Sequence, residues 1–165
     1  SDQVRLRLRD GLVKLSQKCI SDDTYLPNIF THLLQSLDDV EDKTRMLTLQ
    51  AMTELQRQPH CAGAISSLSE YAHDIIEKVL QLHLDGNLRV KTAAEDCAAM
   101  LVRSLPPNRV IQVLIPIVER SQNTVQLAAI NMMSETVKRL TEDDVTAVMA
   151  KVIPGLLKVR LPRRQ

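Results

Sequence analysis

The sequence contains few aromatic residues and few glycines. Among its 165 residues it has no Trp, two Tyr, one Phe and four Gly, and Leu, Ala, Val, Ile and Met supply most of the 44% that is hydrophobic. This composition favours helices over strands. No uninterrupted apolar run approaches the ~18 residues of a membrane-spanning helix, and the N-terminus does not resemble a signal peptide. We therefore expect one all-α domain over residues 1–160, with no membrane insertion.

Residues arranged for catalysis or metal binding are also lacking. The three cysteines, Cys19, Cys61 and Cys97, form no CxxC pair, and reduced, buried thiols are the simplest interpretation. His60 and Cys61 are adjacent, but no second pair completes a zinc site. The sequence has no glycine-rich phosphate loop and neither a GxSxG nor an SxxK arrangement. We expect no enzyme activity, no cofactor and no metal.

Charge is unevenly distributed along the chain. The net charge is +1, yet residues 1–18 and 151–165 are basic and the body between them is acidic. Nucleic-acid binders usually carry a basic stripe across the body together with aromatics for stacking, so we disfavour that function. The basic tail, 161–165, is expected to be disordered.

Hydrophobic periodicity predicts about eight helices. They cover residues 2–20, 24–38, 43–58, 64–84, 88–104, 107–120, 124–139 and 142–160. Pro59 and Pro106-Pro107 favour helix starts, because a proline in the first turn loses no hydrogen bond. Asp85-Gly86-Asn87 is typical of a turn, and Pro154 should kink or end the last helix.

Alternate helices repeat a common pattern. Val4, Thr44, Val90 and Val125 can be set in register at spacings of 40, 46 and 35 residues, and at three of the four positions a basic residue follows. Such spacing is typical of HEAT or armadillo helix pairs. The stretch "NLRVKTAAEDCAAML" places Ala93, Ala94, Cys97, Ala98 and Leu101 on one helix face, which suits close packing between stacked pairs. A compact helical bundle is the alternative, and the fourfold register favours an α-solenoid of antiparallel HEAT-type pairs.

Several longer stretches carry a family resemblance. "AAEDCAAML", the "VLIPI" helix, "QLAAIN" and "PGLL" occur in the order and spacing of the C-terminal HEAT domain of the CLASP family, the cytoplasmic-linker-associated proteins. The likeness is strong over about residues 85–158 and weaker before them. It implies a TOG-like domain of a microtubule-associated protein, which docks adaptors such as CLIP-type linkers, kinetochore proteins, and cortical or Golgi anchors. It also implies a cytoplasmic location on microtubules, the spindle and kinetochores.

The alternative function is direct binding of tubulin through the loops between paired helices, the edge that TOG domains use. Here those loops lie near residues 1–3, 38–43, 84–88 and 121–124. The candidate contacts are Arg5, Lys43, Arg45, Arg89 and Lys91. Two features argue against it: TOG domains typically place a Trp in the first loop, which is lacking here, and "DDVED" in the second would repel acidic tubulin. The basic residues would otherwise pair with neighbouring acids.

The last helix, 142–160, provides a second candidate surface. A HEAT array would continue with a partner helix after "PGLL", but here "KVRLPRRQ" follows. An unpaired helix would expose Val145, Met149, Val152 and Leu156 to an adaptor, a coiled coil or a second copy of the chain. Alternatively, it folds back fully onto helices 107–139. A spacer that binds nothing by itself is the third functional option.

Overall fold

In the computed structural model of the chain, residues 25–57 and 69–141 are described, with residues 25–29 described as backbone only. These ranges contain helices and no strand. The helices are α1 (Tyr25–Ser36), α2 (Asp42–Arg57), α3 (Ala72–Gln81), α4 (Leu88–Ser104), α5 (Pro107–Arg120) and α6 (Asn123–Val137), with a 3₁₀ turn at Leu82–Leu84 between α3 and α4. No helix in these ranges is long and apolar enough to cross a membrane.

The six helices form three consecutive pairs, α1 with α2, α3 with α4, and α5 with α6. Short connections make each pair antiparallel. The first helices of the pairs, α1, α3 and α5, contact one another in sequence and form one layer. The second helices, α2, α4 and α6, form the other layer. This arrangement confirms the predicted all-α helical-repeat solenoid.

The predicted boundaries hold best where turn chemistry is strongest. Helices α4 and α5 begin and end at the predicted residues, since Asn87 caps α4 through its side chain and Pro107 occupies the first turn of α5. The predicted helix 64–84 differs: its α-helical part ends at Gln81, and a hydrogen bond from Asp85 N to Leu82 O (3.2 Å) closes a tighter turn. Predicted helices 2–20 and 142–160, the start at Pro59 and the kink at Pro154 lie outside the described residues.

The alanine-rich face of α4 lies in the core, as predicted. All five of its small and aliphatic residues, Ala93, Ala94, Cys97, Ala98 and Leu101, are buried. The same hydrophobic core contains aliphatic side chains of α3 and α5 and the ring of Phe30, which stacks on the ring of Tyr71 with centroids 5.6 Å apart. Burial raises the pKa of the Cys97 thiol to about 12, against smaller opposing effects of hydrogen bonds with Thr53 and Gln56. Cys97 is therefore a packing residue rather than a nucleophile.

Candidate protein-interaction surfaces

The first two described loops between paired helices are joined by one arginine. From the first turn of α2, Arg45 Nε donates to Asp85 Oδ2 in the next loop (2.9 Å). Its Nη1 donates to the backbone carbonyls of Asp39 and Val40 (2.6 and 3.0 Å), and its Nη2 pairs with Asp42. The guanidinium therefore uses all three nitrogens inside the domain. We call this the Arg45 clamp.

Hydrogen bonds and ion pairs within the clamp shift the pKa values of Arg45 and Asp42 toward their charged forms. Burial by itself lowers the pKa of Arg45, but its bonds to Asp85 and Asp42 outweigh that effect and raise it. The hydrogen bond from Asn87 Nδ2 (2.8 Å) is the main reason that the pKa of Asp42 lies below its ordinary value, and Arg45 adds to that lowering while burial opposes it. Asp85 Oδ1 accepts from Asn87 N (2.8 Å), which ties the clamp to the cap of α4.

The acidic run "DDVED" has internal partners for all four of its carboxylates. Asp38 pairs with Lys78 of α3, Asp39 Oδ1 accepts from Glu41 N (2.8 Å), and Glu41 Oε2 accepts from Thr44 Oγ1 (3.3 Å). Asp42 belongs to the Arg45 clamp. The run therefore builds the loop and the start of α2, where acids also suit the helix dipole. It still adds negative charge to this edge.

The other cations predicted at this edge are differently placed. Lys43 and Arg89 are exposed and Lys91 is half-buried, and none of the three forms an ion pair within the described part of the chain. The structure thus separates Arg45, which is held by its own loops, from three cations that are open to a partner. Arg5 and the last-helix residues Val145, Met149, Val152 and Leu156 lie outside the described residues, so their predicted roles stay predictions.

The same edge exposes three aliphatic side chains that sequence reasoning missed. Val40 is 96% exposed, Leu88 is 75% exposed and Leu84 is 61% exposed. Val40 lies on the α1–α2 loop, Leu84 ends the 3₁₀ turn and Leu88 begins α4, so all three lie near the two loops that the Arg45 clamp joins. Apolar residues inside polar turns were the available signal, because a loop rarely buries its tip. With Lys43 and Arg89 beside them, they form a small mixed surface, which we call the loop edge.

The segment 121–124, which comprises the short connection after α5 and the first two residues of α6, lacks any counterpart of the clamp. It reads Ser-Gln-Asn-Thr and has no charge, and its Asn123 adopts a left-handed backbone conformation (φ 52°). Lys91, at the register position of Arg45, therefore finds no carboxylate there. The clamp joins the α1–α2 loop to the α3–α4 loop, and no hydrogen bond among the described residues repeats it between the α3–α4 and α5–α6 loops.

A groove opens between α4 and α6, on the layer of second helices. It encloses about 520 Å³. Ala98, Val102, Ala128 and Met132 lie along its floor, and the exposed Leu127 stands on its wall. The Leu82–Leu84 turn contacts both helices at one end, where His83 lines the groove. A second recess, of about 570 Å³, lies between α1 and α3, and its lining is more polar, with Asp38, Asp74, Glu77 and Lys78 among its residues.

Within residues 25–57 and 69–141, no three His, Cys, Asp or Glu side chains are grouped closely enough to hold a metal ion.

Comparison with known proteins gives a consistent family. CLIP-associating protein 1 of Xenopus tropicalis is 31% identical over 137 residues, which is 82% of this chain and 9% of that protein. CLIP-associating protein 1-B of Xenopus laevis matches equally. A CLIP-associated protein of Arabidopsis thaliana is 23% identical over 155 residues, 91% of this chain and 10% of that protein. The chain thus spans about a tenth of the length of these relatives. No family model matches it.

Proposed function

Because the chain belongs to the CLIP-associating protein family, of which it matches one region, we propose that it is a non-enzymatic interaction module. In this proposal it docks adaptor proteins, CLIP-type linkers first among them, and so localises a microtubule regulator in the cytoplasm. The relatives' names give the partner class, and the domain supplies a surface for it. The observation that carries the proposal is the open apolar groove between α4 and α6. Apolar recesses of this kind are typical docking sites for partner segments.

The loop edge offers less to an acidic partner such as tubulin. Arg45 is engaged by the domain's own loops, and the two described loops of the clamp contribute more acidic than basic side chains. The edge also lacks a Trp, because the sequence has none. An edge whose loops carry more acids than bases gains little electrostatic attraction to tubulin at physiological salt.

Direct tubulin binding is the second candidate, and one observation favours it. Val40, Leu84 and Leu88 are exposed near Lys43 and Arg89, and these two cations form no ion pair with any described residue. Exposed apolar side chains beside a lysine and an arginine resemble the centre and rim of many protein interfaces. This candidate uses the loop edge, and adaptor docking uses the groove on another face.

Microtubule co-pelleting, with a sizing column for free tubulin, distinguishes the two functions. We expect no binding at physiological salt. Binding that falls steeply with salt, and that is lost in a Lys43→Glu, Arg89→Glu, Lys91→Glu variant, would instead establish the tubulin function. The matched control is Arg103→Glu, which reverses a charge at the groove and leaves the loop edge intact. A direct pulldown with a CLIP-type coiled-coil segment tests the adaptor function, and failure to retain that segment would remove this proposal.

A further inference from the structure

The groove between α4 and α6 has a shape that suits one kind of occupant. Its two walls are helices that run in the same direction, since both are second helices of stacked pairs. Backbone groups within a helix are bonded to one another, so this surface offers no edge to an extended strand. Two of its floor residues, Ala98 and Ala128, are small and leave room for larger side chains from outside. A helix that inserts aliphatic residues matches this geometry.

The charged side chains differ between the two ends of the groove. At the C-terminal ends of its walls lie Arg103, Lys138 and Arg139. Lys138 pairs with the exposed Glu135, and Arg139 Nη1 donates to the carbonyl of Leu105 (3.3 Å). Arg103 is exposed and has no ion pair among the described residues. At the other end, Glu95 is exposed beside His83 and Thr124. One end is therefore basic, and the other carries a single acid.

We propose that the occupant of this groove is an amphipathic α-helix of a partner protein, bound with its aliphatic stripe on Leu127 and the alanine floor. Its carboxylates lie at the Arg103 end. This inference rests on the proposed adaptor-docking function and deepens it, because it names the site and the class of partner segment. Recognition comes from apolar burial, and the charged ends set the direction in which the helix lies.

Synthetic helical peptides test the site directly. The first carries a Leu stripe at helical spacing, Glu residues at one end and Lys residues at the other. In the second, Lys replaces each Glu, and in the third the same residues are reordered to scatter the stripe. Helix content is matched by circular dichroism, and binding to the full 165-residue chain is followed by fluorescence anisotropy. We expect the first to bind most tightly and the third not to bind. Failure of the first to bind with a Kd below about 1 mM would overturn the proposal.

Variants on the walls of the groove then locate the contact. Leu127→Glu places a charge in the path of the aliphatic stripe and should weaken the first peptide by about tenfold or more. The matched control is Ile130→Glu on the same helix: Leu127 and Ile130 are 60% and 46% exposed, and only Leu127 lines the groove. The control should change binding by less than about twofold. Equal losses in the two variants would overturn the site.

Arg103→Glu tests whether the carboxylates of the bound helix lie at the Arg103 end of the groove. It should weaken the first peptide by about threefold to tenfold and strengthen the second, which carries Lys at that end. Arg89→Glu, on the same helix but at the loop edge, is the control and should leave both affinities unchanged. Methyl spectra of the methionines add a positional readout, since Met132 lines the groove and Met52 lies in the core on α2. A peptide that shifts Met52 and leaves Met132 unmoved would contradict the site.

The experiments can reject the groove as the binding site and the CLIP-type adaptor function independently of each other. If a CLIP-type segment binds the wild-type chain and the Leu127→Glu variant equally well, the groove assignment is wrong and adaptor docking stands. If that segment does not bind but the first peptide binds in a Leu127-dependent way, the groove accepts helices and the proposed CLIP-type partner is wrong.

Discussion

Helix α4 contacts α2 on one side and α6 on the other, and these two interfaces differ. Against α2 it packs along much of its length, with Cys97 fully buried and Ser104 Oγ 2.6 Å from Gln56 Oε1. Against α6 it meets at fewer positions, and the groove lies between them. We refer to these as the closed side and the open side of α4. Both sides carry alanines, so small residues alone do not produce close packing.

The difference between the two sides comes from what lies next to the alanines. On the closed side, the Arg45 clamp ties the α1–α2 loop to the α3–α4 loop. On the open side, the uncharged loop 121–124 offers Lys91 no partner, and the turn Leu82–Leu84 contacts both α4 and α6. Small side chains permit helices to approach closely. Whether they do so depends on the loops and turns at their ends.

The largest expected effect comes from filling each side with the same side chain. Ala94 is fully buried and lies one turn before Cys97 on the same helix face, so Ala94→Leu overpacks the core around Cys97 and should cost about 2–3 kcal/mol of unfolding free energy. Ala99 is exposed and lines the groove, so Ala99→Leu should change stability by less than about 0.5 kcal/mol. Chemical denaturation of the two variants beside the wild type measures both values.

The reactivity of the Cys97 thiol reports whether the packing around it is disturbed in Ala94→Leu and in Ala99→Leu. The buried thiol, with its raised pKa, should react slowly with a thiol reagent at pH 8 in the wild type and in Ala99→Leu, read by peptide mass spectrometry. It should react faster in Ala94→Leu. Equal destabilisation by the two substitutions, or faster labelling in Ala99→Leu, would show that the two sides do not differ as described.

A smaller effect should follow from opening the clamp. Asp85→Ala removes the carboxylate that joins Arg45 to the second loop, and we expect the Tm to fall by about 3 °C. Asp38→Ala removes an exposed pair with Lys78 and should lower the Tm by less than about 1 °C. Differential scanning calorimetry compares the two. If Asp38→Ala proved the more damaging, the clamp would not be what stabilises these loops.

The smallest expected effect is a dependence of folding stability on acidic pH that comes from the carboxyl group of Asp42. Its folded-state pKa lies below the ordinary value of 3.8, chiefly because of the Asn87 bond. The stabilisation that it provides is therefore present above pH 3.8 and is lost as the pH falls through the folded-state pKa. Asp42→Asn should flatten this part of the stability profile, measured by denaturation between pH 2 and pH 6. A variant profile parallel to that of the wild type would assign the acid dependence elsewhere.

Much of the fold follows from the sequence because its signals are local. The alanine stripe of α4, the Asn87 cap and Pro107 each act within one helix, and their predicted positions agree with the structure. The tight turn after Gln81 was missed, since Leu82, His83 and Leu84 continue a helical pattern and only the connection to α4 decides otherwise. The clamp was missed for a related reason: Arg45 and Asp85 are 40 residues apart, and a register of similar residues does not reveal which carboxylate each one meets.

The groove between α4 and α6 could not be predicted from the sequence. Ala98, Val102, Leu127 and Ala128 look like ordinary core positions in a helical pattern, and Leu127 is nevertheless 60% exposed. A recess depends on the distance between two helices, which the pattern of either helix leaves undetermined. The predicted surfaces relied on charge and on an unpaired final helix, and neither indicates a space between α4 and α6.

The three-residue turn at Leu82–Leu84 also bears on curvature. In a helical solenoid, the rotation from each repeat to the next sets how strongly the array bends. This turn contacts both α4 and α6, whereas the connection between α1 and α2 contains no 3₁₀ turn. We therefore expect the rotation from the second pair to the third to differ from the rotation from the first pair to the second. The 46-residue spacing between the second and third units of the sequence repeat would then give an array whose curvature changes from one step to the next.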